Sequence, residues 1–193
     1  MYRMRKEDYL IQGLYDLIEY VGLPKDSKVV EIGSYRGEST KVWAENYSDV
    51  TAIDPWDFIV TSDTLKDFVN HLDKHKDRID WNNLTTLLTG VEHSFDEAMK
   101  PYNITKLKMR SNEAIKQFED QSIDMVYIDA MHDYDAVLKD ITLWFPKIKD
   151  GGFVSGHDFD EERWPGVVKA VHDLLGEPEK VFQDTSWVWK KTL

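Results

Sequence analysis

The chain has 193 residues, a formal net charge of −12 and no cysteine. This length is enough to bury one sizeable α/β core and too short for two. The acidic balance argues against nucleic acid and anionic membranes as partners, because both present negative charge. The lack of cysteine excludes a disulfide framework, a thiolate zinc site and a cysteine nucleophile. No signal-peptide or transmembrane pattern is present, so a cytoplasmic location is expected.

Hydrophobic periodicity predicts helices and strands that alternate along the chain. In chain order these are a helix over 6–21, a strand over 28–32, a helix over 38–47, a strand over 50–54, a helix over 94–99, a strand over 104–109, a helix start at 111, a strand over 123–128, a helix that includes 137–145, a strand over 153–156, a helix over 165–175, and short strands over 180–183 and 187–190. The Ser94 to Glu97 stretch has the capping-box pattern of a helix start. Residues 150–152 are predicted to form a tight turn.

This alternation predicts a three-layer α/β fold, in which a mostly parallel sheet has helices on both faces. Seven strands are expected, with an antiparallel pair at the C-terminal end, in a single domain over 1–193. The stretch 58–90 is the least regular, and we interpret it as an insertion that forms a lid or an oligomer contact. His71 and His75 are four residues apart in it, which could indicate a metal pair. The surrounding charged residues favour a solvated helix face instead.

The stretch from Val29 to Thr40 passes from an apolar strand to the polar first turn of a helix, with Gly33 and Gly37 at the corner. Glycine allows positive φ and a close backbone approach, and a helix N-terminus attracts polar ligand groups. The spacing is not the G-x-G-x-x-G of dinucleotide sites. Tyr35 leaves less room for a pyrophosphate, which favours a cofactor without one, S-adenosylmethionine. The alternative is a strand-to-helix turn that binds nothing.

Asp54 ends the second strand about twenty residues after the glycine corner. In folds of this class, an acidic residue at that interval binds the ribose hydroxyls. An ordinary strand-end turn, helped by Pro55, is the alternative. Ligands of parallel sheets bind at the carboxyl ends of the strands. The side of the sheet formed by these ends, its rim, is therefore expected to carry Gly33, Asp54, Ser111, Asp129 and Asp158.

Three stretches resemble one known family. Residues 31–39 resemble the cofactor loop of class I S-adenosylmethionine-dependent methyltransferases, and match the Gly-x-Tyr-x-Gly-x-Ser pattern of the catechol-type and macrolide-sugar O-methyltransferases and cephalosporin-hydroxylase-like proteins. Residues 127–134 and 151–158 resemble later motifs of the same branch. The resemblance covers about 28–175 in the same order and spacing.

The resemblance implies a role for each matching residue. The loop residues Glu31, Gly33, Ser34, Tyr35, Gly37 and Ser39 bind the cofactor, with the Gly33 backbone and the Ser39 hydroxyl at its methionine part. Asp54 binds the ribose, and Ser111 and Asn112 lie at the adenine edge. Asp129, which also lies at the cofactor, and Asp158 are carboxylate ligands of Mg²⁺ or another divalent cation, with His157 as a third ligand. His132 is the general base.

The chemistry of methyl transfer agrees with the roles that the resemblance implies for the carboxylates and for His132. A protonated hydroxyl is a weak nucleophile, and a divalent cation lowers its pKa and orients it. Carboxylates suit hard cations, and a histidine can take the proton. An imidazole ligand at His157 would instead suit Mn, Fe or Zn. The alternatives are purely structural roles, in which the carboxylates only accept backbone hydrogen bonds and His132 faces solvent. Trp56 and Trp164 fit either an acceptor pocket or the core.

The predicted function is therefore methyl transfer from S-adenosylmethionine to a hydroxyl of a small-molecule acceptor, a sugar or a phenol. A non-catalytic module that binds the cofactor and a nicotinamide-dependent oxidoreductase are the two alternatives. No nucleic-acid or membrane partner is expected. The seven tryptophans leave room for an apolar contact between copies, so a homo-oligomer is possible.

Overall fold

The structure, a computed structural model, describes residues 6–57 and 90–192, and only the backbone for 6–10. The predicted insertion over 58–90, with its two histidines, therefore lies outside the described residues except for Gly90. No helix within the described ranges is both long and apolar enough to cross a membrane.

Seven strands form one sheet in the spatial order β3-β2-β1-β4-β5-β7-β6. The strands are β1 Lys28–Ile32, β2 Asp49–Asp54, β3 Thr105–Lys108, β4 Ile123–Ile128, β5 Ile148–Gly156, β6 Lys180–Val181 and β7 Trp187–Lys190. The first five are parallel, and β7 runs antiparallel to both β5 and β6. The predicted seven-stranded sheet with an antiparallel C-terminal pair is confirmed.

The α-helices lie on both faces of the sheet. They are α1 Lys6–Val21, α2 Glu38–Asn46, α3 Val91–Met99, α4 Ser111–Ala114, α5 Tyr134–Trp144 and α6 Pro165–Leu175. Buried side chains of α1, α2 and α3 pack on one face, and those of α4, α5 and α6 pack on the other. Strand β1 shows how the sheet supports both layers. Val29 packs in one core and Val30 in the other, and both are fully buried.

The predicted start of the helix over 94–99 is wrong. Helix α3 begins at Val91, and the Ser94 hydroxyl donates a hydrogen bond to the Gly90 carbonyl at 3.0 Å from within the helix. A serine that bonds back to the preceding turn does not cap a helix. The helix starts earlier because Val91 extends the buried stripe that Phe95 and Met99 continue.

The predicted tight turn over 150–152 is also wrong, because β5 runs through it from Ile148. The register between β4 and β5 shifts at this point, as in a β-bulge. Two backbone bonds hold the glycines in place. Gly151 N–H donates to the Lys191 carbonyl, and Lys191 N–H donates to the Gly152 carbonyl, each at 2.8 Å. The other strands differ from the prediction by at most two residues at either end.

The carboxyl ends of β1, β2 and β4 are joined by backbone contacts. Asp129 N–H donates to the Ile32 carbonyl at 2.8 Å, and Gly33 N–H donates to the Ile53 carbonyl at 2.9 Å. Gly33 has φ +91°, and a Cβ added there would lie 2.0 Å from the Asp129 carbonyl oxygen. Only glycine fits, and its lack of a side chain lets the loop after β1 meet the loop after β4.

Gly33→Ala is expected to lower the free energy of unfolding by about 3 kcal/mol, because it combines a positive φ with overlap against rigid backbone. Gly151→Ala is the matched control, since its φ is +81° but nothing lies within 4 Å of the added Cβ. The control should cost only about 1 kcal/mol, the penalty of the left-handed conformation. Urea denaturation of both variants measures the difference. Equal losses would show that the contact with Asp129 is not a constraint.

Candidate active site

The loop between β1 and α2 adopts an unusual backbone conformation. Gly33, Tyr35 and Gly37 all have positive φ, with values of 91°, 44° and 87°. For tyrosine this conformation costs about 1–2 kcal/mol. Strain of this kind persists where surrounding contacts fix it and where the backbone shape is used.

Asp54 fixes the strained residue. Its Oδ2 accepts a hydrogen bond from the Tyr35 N–H at 3.0 Å, and its Oδ1 accepts one from the Trp56 N–H at 2.7 Å. The Trp56 indole N–H in turn donates to the Tyr35 carbonyl at 2.8 Å. The turn predicted as the alternative role of Asp54 is thus present. Each carboxylate oxygen still has a second lone pair, so the turn does not compete with a ribose contact.

Glu31 lies beneath this loop and is fully buried. Its Oε1 accepts a hydrogen bond from the Trp43 indole N–H at 3.0 Å, and its Oε2 accepts one from the Thr40 hydroxyl. Burial raises the pKa of Glu31, which the nearby hydroxyl donors oppose. These contacts join the end of β1 to the first turns of α2, so Glu31 supports the loop from behind.

A cavity of about 900 Å³ opens at the carboxyl ends of the strands. Eight of the predicted cofactor residues line it: Gly33, Ser34, Tyr35, Ser39, Asp54, Ser111, Asn112 and Asp129. The other two, Glu31 and Gly37, are not among the described lining residues. The Ser34 side chain is buried at the cavity wall, and its hydroxyl lies close enough to the Glu31 carboxylate to favour the charged form of Glu31.

Ser111 does not offer its hydroxyl proton to the cavity. The hydroxyl donates to Asp140 Oδ1 at 2.5 Å and accepts a hydrogen bond from the Trp144 indole N–H at 2.8 Å. Asp140 itself lines the cavity. Sequence reasoning missed it, although a signal was present. Asp140 lies three residues after Val137 and four before Trp144, so an acidic residue borders the buried stripe of α5.

Asp129, His132 and Asp158 form a cluster, the Asp–His cluster, in which one ligand atom from each residue lies within 4.8 Å of the others. His132 Nε2 is 2.8 Å from Asp158 Oδ2 and 3.9 Å from Asp129 Oδ1. The structure thus unites the two predicted carboxylate ligands with the predicted base. His157, the predicted third ligand, lies behind Asp158, with Nδ1 3.1 Å from Asp158 Oδ1.

The charges of the Asp–His cluster shift its proton equilibria. Burial alone would lower the pKa of His132, but the two carboxylates outweigh it and raise that pKa to about 9. Likewise, burial would lower the pKa of His157, yet Asp158 and the charge of Asp129 raise it to about 9. Burial would raise the pKa of Asp158, but both histidines hold it well below its usual range. At neutral pH Asp158 therefore lies between two imidazolium groups.

The two tryptophans predicted as either pocket or core differ in their surroundings. Trp56 is buried, and its ring centroid is 4.7 Å from that of Phe95, so it belongs to the core. The Trp164 ring is half-buried against His132, with centroids 4.2 Å apart and ring planes at 37°. A Cβ added to Gly166 would lie 2.7 Å from the His132 carbonyl oxygen. The start of α6 thus supports the loop that carries His132.

Comparison with known proteins agrees with this architecture. Residues 30–159 match a family model described as a methyltransferase domain. A protein of Acanthamoeba polyphaga mimivirus that is itself uncharacterised is 25% identical over 156 residues, which are 79% of this chain and 61% of that protein. The chain thus spans about three fifths of the length of this relative.

Solved structures share the fold at low identity. The O-methyltransferase NovP superposes with a TM-score of 0.58 at 15% identity, covering 97% of this chain and 80% of that one. CalS11, a TDP-rhamnose 3′-O-methyltransferase of calicheamicin biosynthesis, gives 0.57 at 13% identity, covering 96% and 80%. A precorrin 8w decarboxylase from Methanobacterium thermoautotrophicum gives 0.58 at 12% identity, covering 94% and 85%. The family match extends over two thirds of the chain and includes both the glycine loop and the Asp–His cluster. The chain therefore belongs to the methyltransferase-domain family.

Proposed function

We propose that this chain transfers the methyl group of S-adenosylmethionine to a hydroxyl of a small acceptor, a sugar or a phenol, with a divalent cation held by the two carboxylates of the Asp–His cluster. One observation carries the proposal. Asp129 and His132 line the cofactor cavity and also belong to the Asp–His cluster. A methyl donor in the cavity and a hydroxyl at the cluster would therefore be neighbours. Two of the similar folds are O-methyltransferases, one of which acts on a TDP-sugar.

The residues of the cavity suit the methyl donor. Ser34 and Ser39 line the cavity next to the N-terminus of α2, where backbone N–H groups favour the carboxylate of the amino-acid part. Asp54 retains acceptor capacity for the two ribose hydroxyls. Tyr35 occupies the middle of the loop and leaves less room for a pyrophosphate than a glycine would. These features support a sulfonium nucleoside over a dinucleotide.

The Asp–His cluster also suits a divalent cation. The carboxylate oxygens of Asp129 and Asp158 lie within 4.8 Å of each other, so both can reach one ion at the 2.0–2.4 Å distances typical of metal–oxygen bonds. Asp129 and Asp158 would supply hard oxygen ligands. When bound, the cation would act as a Lewis acid that lowers the pKa of the acceptor hydroxyl.

His132 would take the acceptor proton at Nε2. The hydroxyl O–H bond breaks, its oxygen forms a bond to the methyl carbon, and the C–S bond electrons return to sulfur, which leaves a neutral thioether. In the absence of a cation, the raised pKa keeps His132 protonated at neutral pH. A cation held by Asp129 and Asp158 would compete for the carboxylates that favour the imidazolium form of His132, which would make this side chain an available base.

The donor site can be tested by calorimetry with S-adenosylmethionine and S-adenosylhomocysteine. The wild type should bind both in the micromolar range, and Asp54→Asn should weaken binding about tenfold or more, because a neutral amide accepts ribose hydroxyls less well. Asp49→Asn is the matched control, since Asp49 begins the same strand at its opposite end, beside Lys28. Absence of binding to the wild type would contradict the methyltransferase assignment. Equal binding by both variants would remove Asp54 from the site.

The catalytic assignment can be tested by transfer of a labelled methyl group to a panel of nucleotide sugars and phenols, with Mg²⁺, with Mn²⁺ and with EDTA. His132→Gln should reduce the rate about 100-fold or more, the usual contribution of a general base. His93→Gln, which alters an exposed histidine on α3, should leave the rate unchanged. Full activity in EDTA would contradict the role of the cation. Full activity of His132→Gln would contradict the role of the base.

The proton equilibrium of His132 can be followed by NMR without any acceptor. Its pKa should be about 9 in the wild type and should fall toward 6.5 in Asp158→Asn or with saturating Mg²⁺. Since the folded pKa exceeds the unfolded value, this ion pair stabilises the protein below about pH 6.5, and the stabilisation is lost as the pH rises through 9.

Asp160→Asn is the control for that titration. Asp160 accepts hydrogen bonds from backbone N–H groups in the same loop, and its substitution leaves the contact between Asp158 and His132 intact. A pKa near 6.5 in the wild type, unchanged in Asp158→Asn, would contradict the ion pair.

A further inference from the structure

The backbone of Asp158, in the loop after β5, has an unusual conformation. Its φ is +62°, in the left-handed region that residues other than glycine seldom adopt. Such a conformation persists only where surrounding contacts fix it. The direction of the carboxylate depends on it, because Oδ2 lies 2.8 Å from His132 Nε2 and Oδ1 lies 3.1 Å from His157 Nδ1. Contacts from outside the Asp–His cluster must therefore hold this backbone in place.

The hairpin of β6 and β7 holds the peptide groups on both sides of Asp158. On the preceding side, the His157 carbonyl accepts a hydrogen bond from the Trp187 indole N–H at 3.2 Å. On the following side, the Phe159 N–H donates to the Thr185 carbonyl at 2.9 Å. These two hydrogen bonds restrict rotation about both backbone dihedral angles of Asp158. They therefore also restrict the direction of its carboxylate.

A buried carboxylate, Asp184, holds the turn of this hairpin. Thr185 in the turn is also left-handed, with φ +73°. Asp184 Oδ1 accepts a hydrogen bond from the Ser186 N–H, and Oδ2 accepts one from the Ser186 hydroxyl, each at 3.0 Å. An aspartate that accepts from the N–H two residues ahead closes a turn around the residue between them. Asp184 therefore fixes the conformation of Thr185, whose carbonyl holds the loop of Asp158.

Asp184 is enclosed by the core. A Cβ added to Gly13 of α1 would lie 1.9 Å from its Cγ, so the helix leaves room for the carboxylate only because this residue is glycine. On the other side, Ser186 Oγ lies 3.0 Å from the hydroxyl of Tyr127, a buried residue of β4. Burial raises the pKa of Asp184, which the bonds from Ser186 and the charge of His157 oppose. Helix α1 and the sheet thus hold the carboxylate rigidly beside the turn.

We propose that Asp184 is a positioning residue for the cation site, because it fixes the hairpin turn that holds Asp158 in the conformation needed to bind the cation. The proposal rests on the divalent cation proposed above and adds a determinant of its affinity. Asp184 is not among the described lining residues of the cavity, so it acts through Thr185 and Trp187. Groups that orient the ligands of a metal in this way contribute strongly to its affinity.

The test measures Mn²⁺ affinity from the electron paramagnetic resonance signal of the free ion, and S-adenosylhomocysteine affinity by calorimetry on the same samples. Asp184→Ala removes both acceptors and should weaken Mn²⁺ binding about tenfold or more. The affinity for S-adenosylhomocysteine should not change, because the altered loop is separate from the glycine loop. Asp184→Asn keeps an acceptor for the Ser186 N–H, so it should restore Mn²⁺ affinity to within about threefold of the wild type.

Trp187→Phe provides a second variant in case Asp184→Ala does not fold. It removes the indole N–H that bonds the His157 carbonyl and should weaken Mn²⁺ binding several-fold. Trp189→Phe is the matched control. Trp189 lies in the same strand and packs against Phe145, with ring centroids 5.9 Å apart, so its substitution should leave Mn²⁺ affinity unchanged.

Crystal structures of the variants without a cation provide a readout that does not depend on metal binding. In Asp184→Ala, Asp158 should leave the left-handed region and its hydrogen bond to His132 should break. An unchanged Asp158 conformation, unchanged Mn²⁺ affinity, or an equal loss of both affinities would overturn the proposal. If the wild type binds no Mn²⁺, the cation assignment fails, and the crystal structures alone decide whether Asp184 positions Asp158.

Discussion

The close approach of Gly33 to the Asp129 carbonyl is the contact on which the site depends. It brings the loop after β1 against the loop after β4 at a distance that a single methyl group would prevent. The backbone hydrogen bonds from Asp129 to Ile32 and from Gly33 to Ile53 join the carboxyl ends of three strands. Gly33, Asp54 and Asp129 lie at these three ends and all line the cavity. The geometry of the site is therefore set by the backbone before any ligand binds.

The charge of the site is balanced locally. Asp158 is paired with His132 and lies beside His157, which offsets the repulsion between two half-buried carboxylates that lie close to each other. Removing His132 would leave this repulsion less compensated. A divalent cation at Asp129 and Asp158, as proposed, would compensate the same carboxylates as a proton on His132. The protonation state of His132 would then depend on occupancy of the cation site.

Much of the fold could be predicted because strands such as β1 and β4 are short apolar runs with clear ends. The rim residues followed from the rule that parallel strands bind ligands at their carboxyl ends. The errors arose where a local pattern had more than one structural solution. Ser94 fits a capping box, yet its hydroxyl bonds backward inside a helix that begins at Val91. The glycines at 151 and 152 suggest a turn, but pairing with Lys191 keeps them in β5.

Side-chain contacts between distant elements were beyond the reach of the sequence. Nothing local indicates that Ser111 donates to Asp140, twenty-nine positions away, or that His132 rather than His157 lies between the two aspartates. Such pairs depend on how α5 and the strand ends pack together. Sequence motifs predicted which residues form the site, and packing determines which of their atoms face one another.

A crystal structure of the protein with S-adenosylhomocysteine and Mn²⁺ would test the central claim most directly. We expect the ligand in the cavity between Gly33 and Ser111, its ribose at Asp54, and an anomalous Mn²⁺ peak between Asp129 and Asp158. A ligand bound outside this cavity, or a cation bound away from both aspartates while the ligand is in place, would contradict the account.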